Sequence, residues 1–150
     1  TKLTLLYYNP NIHPRTEYLE RLNALKKIIG EGMIKQMVTL IIPEYRPKEY
    51  FDKISKEKKR CIGCWRNRIE YLFKYASEHN FNFVSSTLLS SHYQDTETIK
   101  DLAQELETKD IKTVYPQKAH EHIKTGGFYK QNFCGCCFSL SERMLEKYKG

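Results

Sequence analysis

Short β-rich apolar runs alternate along this chain with stretches whose apolar residues recur every three or four positions. That alternation restricts the fold more than any other feature. The run "KLTLLYY" (2–8) stops at "NPNIHP", where two prolines and two asparagines demand a loop. From Arg15 onward Tyr18, Leu22, Leu25 and Ile29 fall at helical spacing, with Gly30 and Gly32 placed to end the helix. "QMVTLIIP" (36–43) reads as a second buried strand, "RPKEYFDKIS" as a short helix, and Trp65, Ile69, Leu72, Phe73 and Ala76 as one face of a longer helix. A third strand is predicted over "FNFVSSTLL" (81–89), then a helix through Ile99, Leu102, Ala103 and Leu106, then a short fourth strand in "IKTVYP". A last helix is predicted to start near Ser139 or Ser141, with Glu142 in its first turn. Strands separated by helices imply an α/β chain with a parallel sheet flanked by helices. At 150 residues it reads as a single domain spanning 1–150. Ligands of such sheets bind at the carboxyl ends of the strands, here the loops "NPNIHP" and "SSHYQD" and the segment after Tyr115.

The five cysteines stand in two knots, Cys61 with Cys64 in "KRCIGCWRNR" and Cys134, Cys136 and Cys137 in "NFCGCCFS". A chain this long buries a sizeable core without crosslinks, and an odd count excludes complete pairing within one chain. With no secretory signal before the first strand and apolar runs too short for a bilayer, the chain is expected in the cytoplasm, away from membranes. There, clustered cysteines serve as metal ligands or reactive thiols more than as structural bridges. Cys61 and Cys64 fall just before a predicted helix, where both sulfurs lie on one side of a turn. Backbone N–H groups and the neighbouring Lys58, Lys59, Arg60 and Arg66 favour thiolates there. Such a pair can ligate zinc or an iron–sulfur cluster, or act as a dithiol. A disulfide between Cys134 and Cys136 closes a very small ring, which Gly135 permits and which is readily reduced. The same knot could instead complete a four-thiolate metal site. Cys137, beside Phe138, is expected to pack as a small buried side chain.

A balance of 25 Lys plus Arg against 18 Asp plus Glu gives a net charge of +7, which suits an anionic partner such as nucleic acid. Eleven tyrosines, seven phenylalanines and one tryptophan add surfaces on which unpaired bases could stack. No phosphate-cradling glycine loop of either common pattern follows a predicted strand, which argues against a nucleotide-driven enzyme.

Four segments taken together, "YYNPNIHPRTEYLERL", "KRCIGCWRNRIEY", "FVSSTLLSSHYQDTETI" and "GFYKQNFCGCCFS", resemble the QueH family of epoxyqueuosine reductases. The resemblance spans nearly the whole chain in order. It implies a Rossmann-like fold akin to the adenine-nucleotide hydrolases. It also implies a cobalamin-independent reaction that reduces the epoxide of epoxyqueuosine at the tRNA wobble position to give queuosine. By that resemblance Cys61 and Cys64 match two ligands of a [4Fe–4S] cluster, with an additional iron as a further expectation, and Cys134 and Cys136 match a redox-active C-x-C pair. The family carries an earlier strand ending in an adjacent cysteine pair, followed by a further Cys or Asp. The chain is therefore expected to lack the family's first strand, since Thr1 opens on what matches the second.

Deoxygenating an epoxide to an alkene takes two electrons and two protons and releases water, so the reading needs proton donors and an electron donor besides the cysteines. His13, His92 and Tyr129 lie in loops near the matched segments and are the candidate proton donors. Asn9 and Asn11 could recognise polar substrate edges, while Lys59 in the 56–60 basic run, Arg66 and Arg68 could contact phosphates of a tRNA anticodon loop. Two readings from other classes remain beside the reductase: a cysteine-ligated zinc module that binds RNA without catalysis, and a thiol–disulfide oxidoreductase acting on proteins.

Overall fold

The computed structural model of the chain describes residues 2–32, 34–91, 93–117 and 132–149. The chain divides into two compact units, Thr1–Pro47 with Lys124–Gly150, and Lys48–Ile123. Among the described residues there are six α-helices and two two-stranded parallel sheets. None of the helices is long and apolar enough to cross a membrane.

In the first unit β1 (Leu3–Leu6) leads through α1 (Arg15–Ile29) and the short α2 (Ile34–Met37) to β2 (Val38–Ile41). The two strands run parallel with Leu3 opposite Val38 and Leu6 opposite Ile41, a β–α–β crossover. Tyr7 extends the pairing by donating its N–H to the Ile41 carbonyl at 2.8 Å before the chain turns away at Asn9 and Pro10. The core of this unit is Tyr7, Ile12, Tyr18 and Leu22, with Leu25, Leu40 and Tyr45 packed against it. Two of its aromatic members are also hydrogen-bonded through their phenols. Tyr7 donates to the Tyr18 carbonyl at 3.0 Å, and Tyr45 donates to the Ile12 carbonyl at 2.6 Å. These two bonds tie the loop after β1 to the helix and to the segment after β2.

The second unit contains α3 (Pro47–Ile54), α4 (Arg60–Glu78), β3 (Phe83–Val84), α5 (Thr96–Leu106) and β4 (Lys112–Thr113). The stripe Trp65, Ile69, Phe73 and Ala76 of α4 packs on Val84, Leu88, Leu89, Ile99, Leu102, Ala103 and Ile111. Asp95 caps α5, its carboxylate accepting the Thr98 N–H at 3.1 Å.

Four expectations are corrected. The strand predicted over 81–89 is limited to Phe83–Val84, and Thr87–Ser90 forms a 3-10 turn. The serines cause this: Ser85 donates its hydroxyl to the Val114 carbonyl at 2.7 Å, and the Ser86 hydroxyl accepts the Leu88 N–H at 3.3 Å, so side chains replace further ladder bonds. The long helix begins at Arg60, which puts Cys61 and Cys64 inside it rather than before it. The last helix, α6 (Cys137–Lys149), starts earlier than Ser139, so Glu142 falls outside the first turn. Finally, the parallel strands described form two separate pairs, β1 with β2 and β3 with β4.

Candidate functional site

The C-x-C knot enters α6 directly. Leu140 donates its N–H to the Cys136 carbonyl at 3.1 Å, and Ser139 donates its N–H to Cys136 Sγ at 3.3 Å. Cys136 therefore acts as the N-cap, its sulfur taking the place usually filled by a serine or aspartate oxygen. Cys136 is buried and Cys134 half-buried, and their sulfurs lie 3.6 Å apart. Among the described residues all five cysteines are thiols.

Two side chains of the first unit hold this loop. Arg21, buried on the inner face of α1, donates Nη1 to the Cys134 carbonyl at 3.2 Å and Nη2 to the Phe133 carbonyl at 3.0 Å. Its guanidinium lies 5.1 Å from the Phe133 ring centroid, a cation–π contact, and its Nε reaches Glu17 Oε1 at 2.6 Å one turn earlier. His13 supports the loop from the other side. Its N–H donates to the Gly135 carbonyl at 2.8 Å, its Nδ1 accepts the Cys137 N–H at 3.3 Å, and its Nε2 faces the Pro10 carbonyl at 3.0 Å. A carbonyl cannot donate and a backbone N–H cannot accept, so these contacts assign the neutral tautomer with the proton on Nε2. Burial lowers the His13 pKa, with the Pro10 carbonyl and Cys134 pulling the other way. Both ring nitrogens thus engage backbone, which makes His13 a clamp on the loop.

Gly135 is required here. Its φ is +107°, and a Cβ would stand 3.0 Å from both Arg21 Nη1 and Ile12 Cγ1. The result is a tight turn that presents Cys134 to several donors. The Cys136 thiol is the largest influence lowering the Cys134 pKa, to about 5. Burial opposes the shift, while the Cys136 N–H, Ser139 and the Arg21 charge support it. The turn thus favours the thiolate at Cys134.

In the second unit Cys61 and Cys64 occupy the first turns of α4, Cys61 exposed and Cys64 half-buried. Gly63 between them lets α3 approach closely: a Cβ there would come within 2.9 Å of the Ile54 Cα and 3.0 Å of the Lys53 carbonyl. The turn holds no acidic side chain and its N-cap, Lys59, makes no side-chain cap bond. Two soft thiols at i and i+3 on the opening turns of one helix have the spacing of two corners of an iron–sulfur cluster. No group of three or more His, Cys, Asp and Glu suited to a metal forms among the described residues. Of the predicted phosphate contacts, Lys59 is exposed and Arg68 half-buried. Arg66 is bound to Glu57 at 3.2 Å and to Glu105 at 3.3 Å. Trp65 donates its indole N–H to Gln94 Oε1 at 2.7 Å, fixing the helix face behind the cysteines.

In the loop after β1, Asn9 closes a turn by accepting the Ile12 N–H at 3.3 Å. Asn11 is buried, and its Oδ1 meets no hydrogen-bond donor among the described residues. His92 and Tyr129 lie outside the described residues. Sequence reasoning missed Arg21 and Glu17, although a signal was present. Arg21 falls on the apolar stripe between Tyr18 and Leu25, an odd place for a charge unless it is bound on the inside.

Comparison with known proteins matches the family of epoxyqueuosine reductase QueH over residues 1–142. A protein of Dehalococcoides mccartyi named epoxyqueuosine reductase QueH is 32% identical, over 94% of this chain and 80% of the relative. Proteins of the same name from Thermotoga maritima and Staphylococcus epidermidis are 28% and 25% identical, covering 91% and 96% of this chain and 79% and 68% of the relatives. The chain belongs to the epoxyqueuosine reductase QueH family.

Proposed function

We propose that the chain is an oxidoreductase of tRNA modification that reduces the epoxide of epoxyqueuosine to queuosine, with Cys134 and Cys136 as its redox pair. The observation that carries this reading is the pair itself in a chain of this family: two sulfurs 3.6 Å apart with Cys134 held as thiolate. The step balances. Forming the disulfide from the Cys134 thiolate and the Cys136 thiol releases two electrons and one proton. Removing the epoxide oxygen as water with formation of the alkene consumes both electrons and two protons, the second supplied by a proton donor of the site. An external electron donor then returns the disulfide to the dithiol.

Cys61 and Cys64 would hold a [4Fe–4S] cluster, with an additional iron beside it, the other ligands coming from residues beyond those described. Such a group supplies single-electron transfer and Lewis-acid polarisation of an oxygen. Within the chain's own residues, His13 keeps the C-x-C loop in place, and His92 and Tyr129 are the proposed proton donors. Asn9 and Asn11 are proposed at the polar edges of the substrate base, and Lys59, Arg66 and Arg68 at the phosphates of the anticodon loop. The two units act as parts of one Rossmann-like domain, akin to adenine-nucleotide hydrolases, in the cytoplasm.

The test is anaerobic. Reduced protein, loaded with iron and sulfide, is mixed with tRNA containing epoxyqueuosine, and the nucleosides are read by mass spectrometry. Conversion to queuosine with loss of two titratable thiols per product, when no other reductant is present, is the expected result. An unchanged epoxide with the metal loaded overturns the reading; zinc in place of iron favours the RNA-binding module.

A further inference from the structure

We infer that Arg21, braced by Glu17, is the positioning residue of the redox pair: it fixes the turn at Phe133 and Cys134 so that the two sulfurs meet and Cys134 is the reacting one. This rests on the reading of the two cysteines as a redox pair.

The geometry is the argument. One planar guanidinium takes the two successive carbonyls before Gly135, at 3.0 and 3.2 Å, and its remaining edge takes Glu17 Oε1 at 2.6 Å. A fork of fixed donors can hold two carbonyls at a set angle, which a single ammonium on a flexible stem cannot. With both carbonyls turned toward α1 and Gly135 at positive φ, the chain reverses and the two sulfurs meet at 3.6 Å. The two sulfurs then have different surroundings. Cys136 is buried and accepts the Ser139 N–H as helix cap, whereas Cys134 is the more accessible and receives donors. The charged and titratable groups facing Cys134 are Arg21 from α1, His13 from the loop after β1, and Cys136 at the start of α6. Of these only Arg21 carries a permanent positive charge, and it also makes the turn. Glu17 keeps that charge aimed by fixing the third edge of the guanidinium. Its carboxylate is not itself needed by the thiol.

The experiment reads thiol chemistry and not turnover, so its failure is separable from failure of the reductase reading. Reduced protein is alkylated anaerobically with iodoacetamide from pH 4.5 to 9, and the rate at each cysteine is followed by peptide mass spectrometry. In the unaltered chain Cys134 should react first in its pair, with a rate that levels off above about pH 6 because the thiolate is then fully formed. In Arg21→Gln the midpoint should move up by at least one pH unit, lowering the Cys134 rate at pH 5 roughly fivefold or more while the Cys61 rate stays the same. Arg21→Lys should recover less than half of that loss. Glu17→Gln keeps the guanidinium and is the gentler change, with an expected two- to threefold loss in the same direction; it decides the matter if Arg21→Gln fails to fold. An unshifted Cys134 profile in a folded Arg21→Gln, or in Glu17→Gln, overturns the inference. So does earlier labelling of Cys136, or an equal shift at Cys61, which would mean general loosening.

Discussion

The two cysteine knots use similar short spacings and are built in opposite ways. Cys134 and Cys136 lie in a turn clamped by Arg21 on one side and His13 on the other, with one sulfur capping a helix and the other receiving donors. Cys61 and Cys64 stand on the opening turns of α4, where Cys61 is exposed and no acidic side chain intervenes. The first arrangement sets the chemistry of its own sulfurs before any ligand arrives. The second leaves two thiols at i and i+3 at the start of a helix, the arrangement proposed to hold a metal. A chain that needs both an electron-storing dithiol and metal ligands has reason to use different cysteines for the two tasks. The difference can be broken by experiment at four points.

The largest effect belongs to the clamped pair. Cys134→Ser and Cys136→Ser should each lower epoxide reduction by about a thousandfold or more, the scale expected when one member of a reacting unit is removed. Iron and sulfide content should stay near that of the unaltered protein in both. Loss of iron would make these cysteines ligands and erase the distinction between the knots. Cys137→Ala should leave turnover nearly intact, since that residue meets His13 through its backbone N–H and not its sulfur.

Next comes the exposed pair. Cys61→Ser or Cys64→Ser should reduce bound iron and sulfide at least about tenfold, because an alcohol is a far weaker iron ligand than a thiolate. The pH profile of Cys134 alkylation should not move. Full metal content in both variants would return Cys61 and Cys64 to the status of surface thiols.

Both knots were visible in the sequence, as were α1, α3 and α5 and the parallel β–α–β order, because each rests on short-range spacing. The clamp was not. Arg21 and its carbonyl partners lie 112 and 113 positions apart, and no local pattern carries that information. The start of α6 was missed for a related reason: cysteine is not among the residues that ordinarily signal an N-cap, and only the folded turn gives its sulfur the Ser139 N–H. The third strand was overextended because alternation in "FNFVSSTLL" says nothing about two serines choosing other partners.

A third effect is on stability. Cys134 has its pKa lowered to about 5 in the folded protein, below the unfolded thiol near 8.5. A depressed pKa contributes stability that is complete above the unfolded value and is lost as pH falls through the folded one. The melting temperature of the reduced protein minus that of Cys134→Ser should therefore be largest at pH 9 and shrink by roughly 4 °C towards pH 5, a figure discounted for the partial exposure of the sulfur. His13 titrates in both proteins and cancels from the difference except for the part of its shift that Cys134 itself causes. A difference that does not change with pH would remove the thiolate, and with it the contrast in how the two knots treat their sulfurs.

The smallest effect tests the basic surface leading into the exposed knot. If tRNA phosphates are bound there, each contact adds to the steepness with which affinity falls with salt, because each releases counterions. The cations of α4 are not equivalent in this respect. Arg66 already faces Glu57 and Glu105, so a phosphate would have to displace two carboxylates to reach it. Lys59 is exposed at the N-cap of the same helix, two residues before Cys61. Lys59→Gln should therefore reduce the slope of log affinity against log salt by about 1, while Arg66→Gln should change it by less than half as much. Arg21→Gln, a loss of equal charge inside the first unit, should leave the slope unchanged, since a guanidinium bound to two carbonyls and a carboxylate is not offered to phosphate. An equal drop for all three would mean that only net charge matters and that the exposed knot has no nucleic-acid face of its own. A larger drop for Arg66 than for Lys59 would mean that its carboxylate pairs open on binding, and the phosphate path would then run along the side of α4 that faces Glu57 and Glu105.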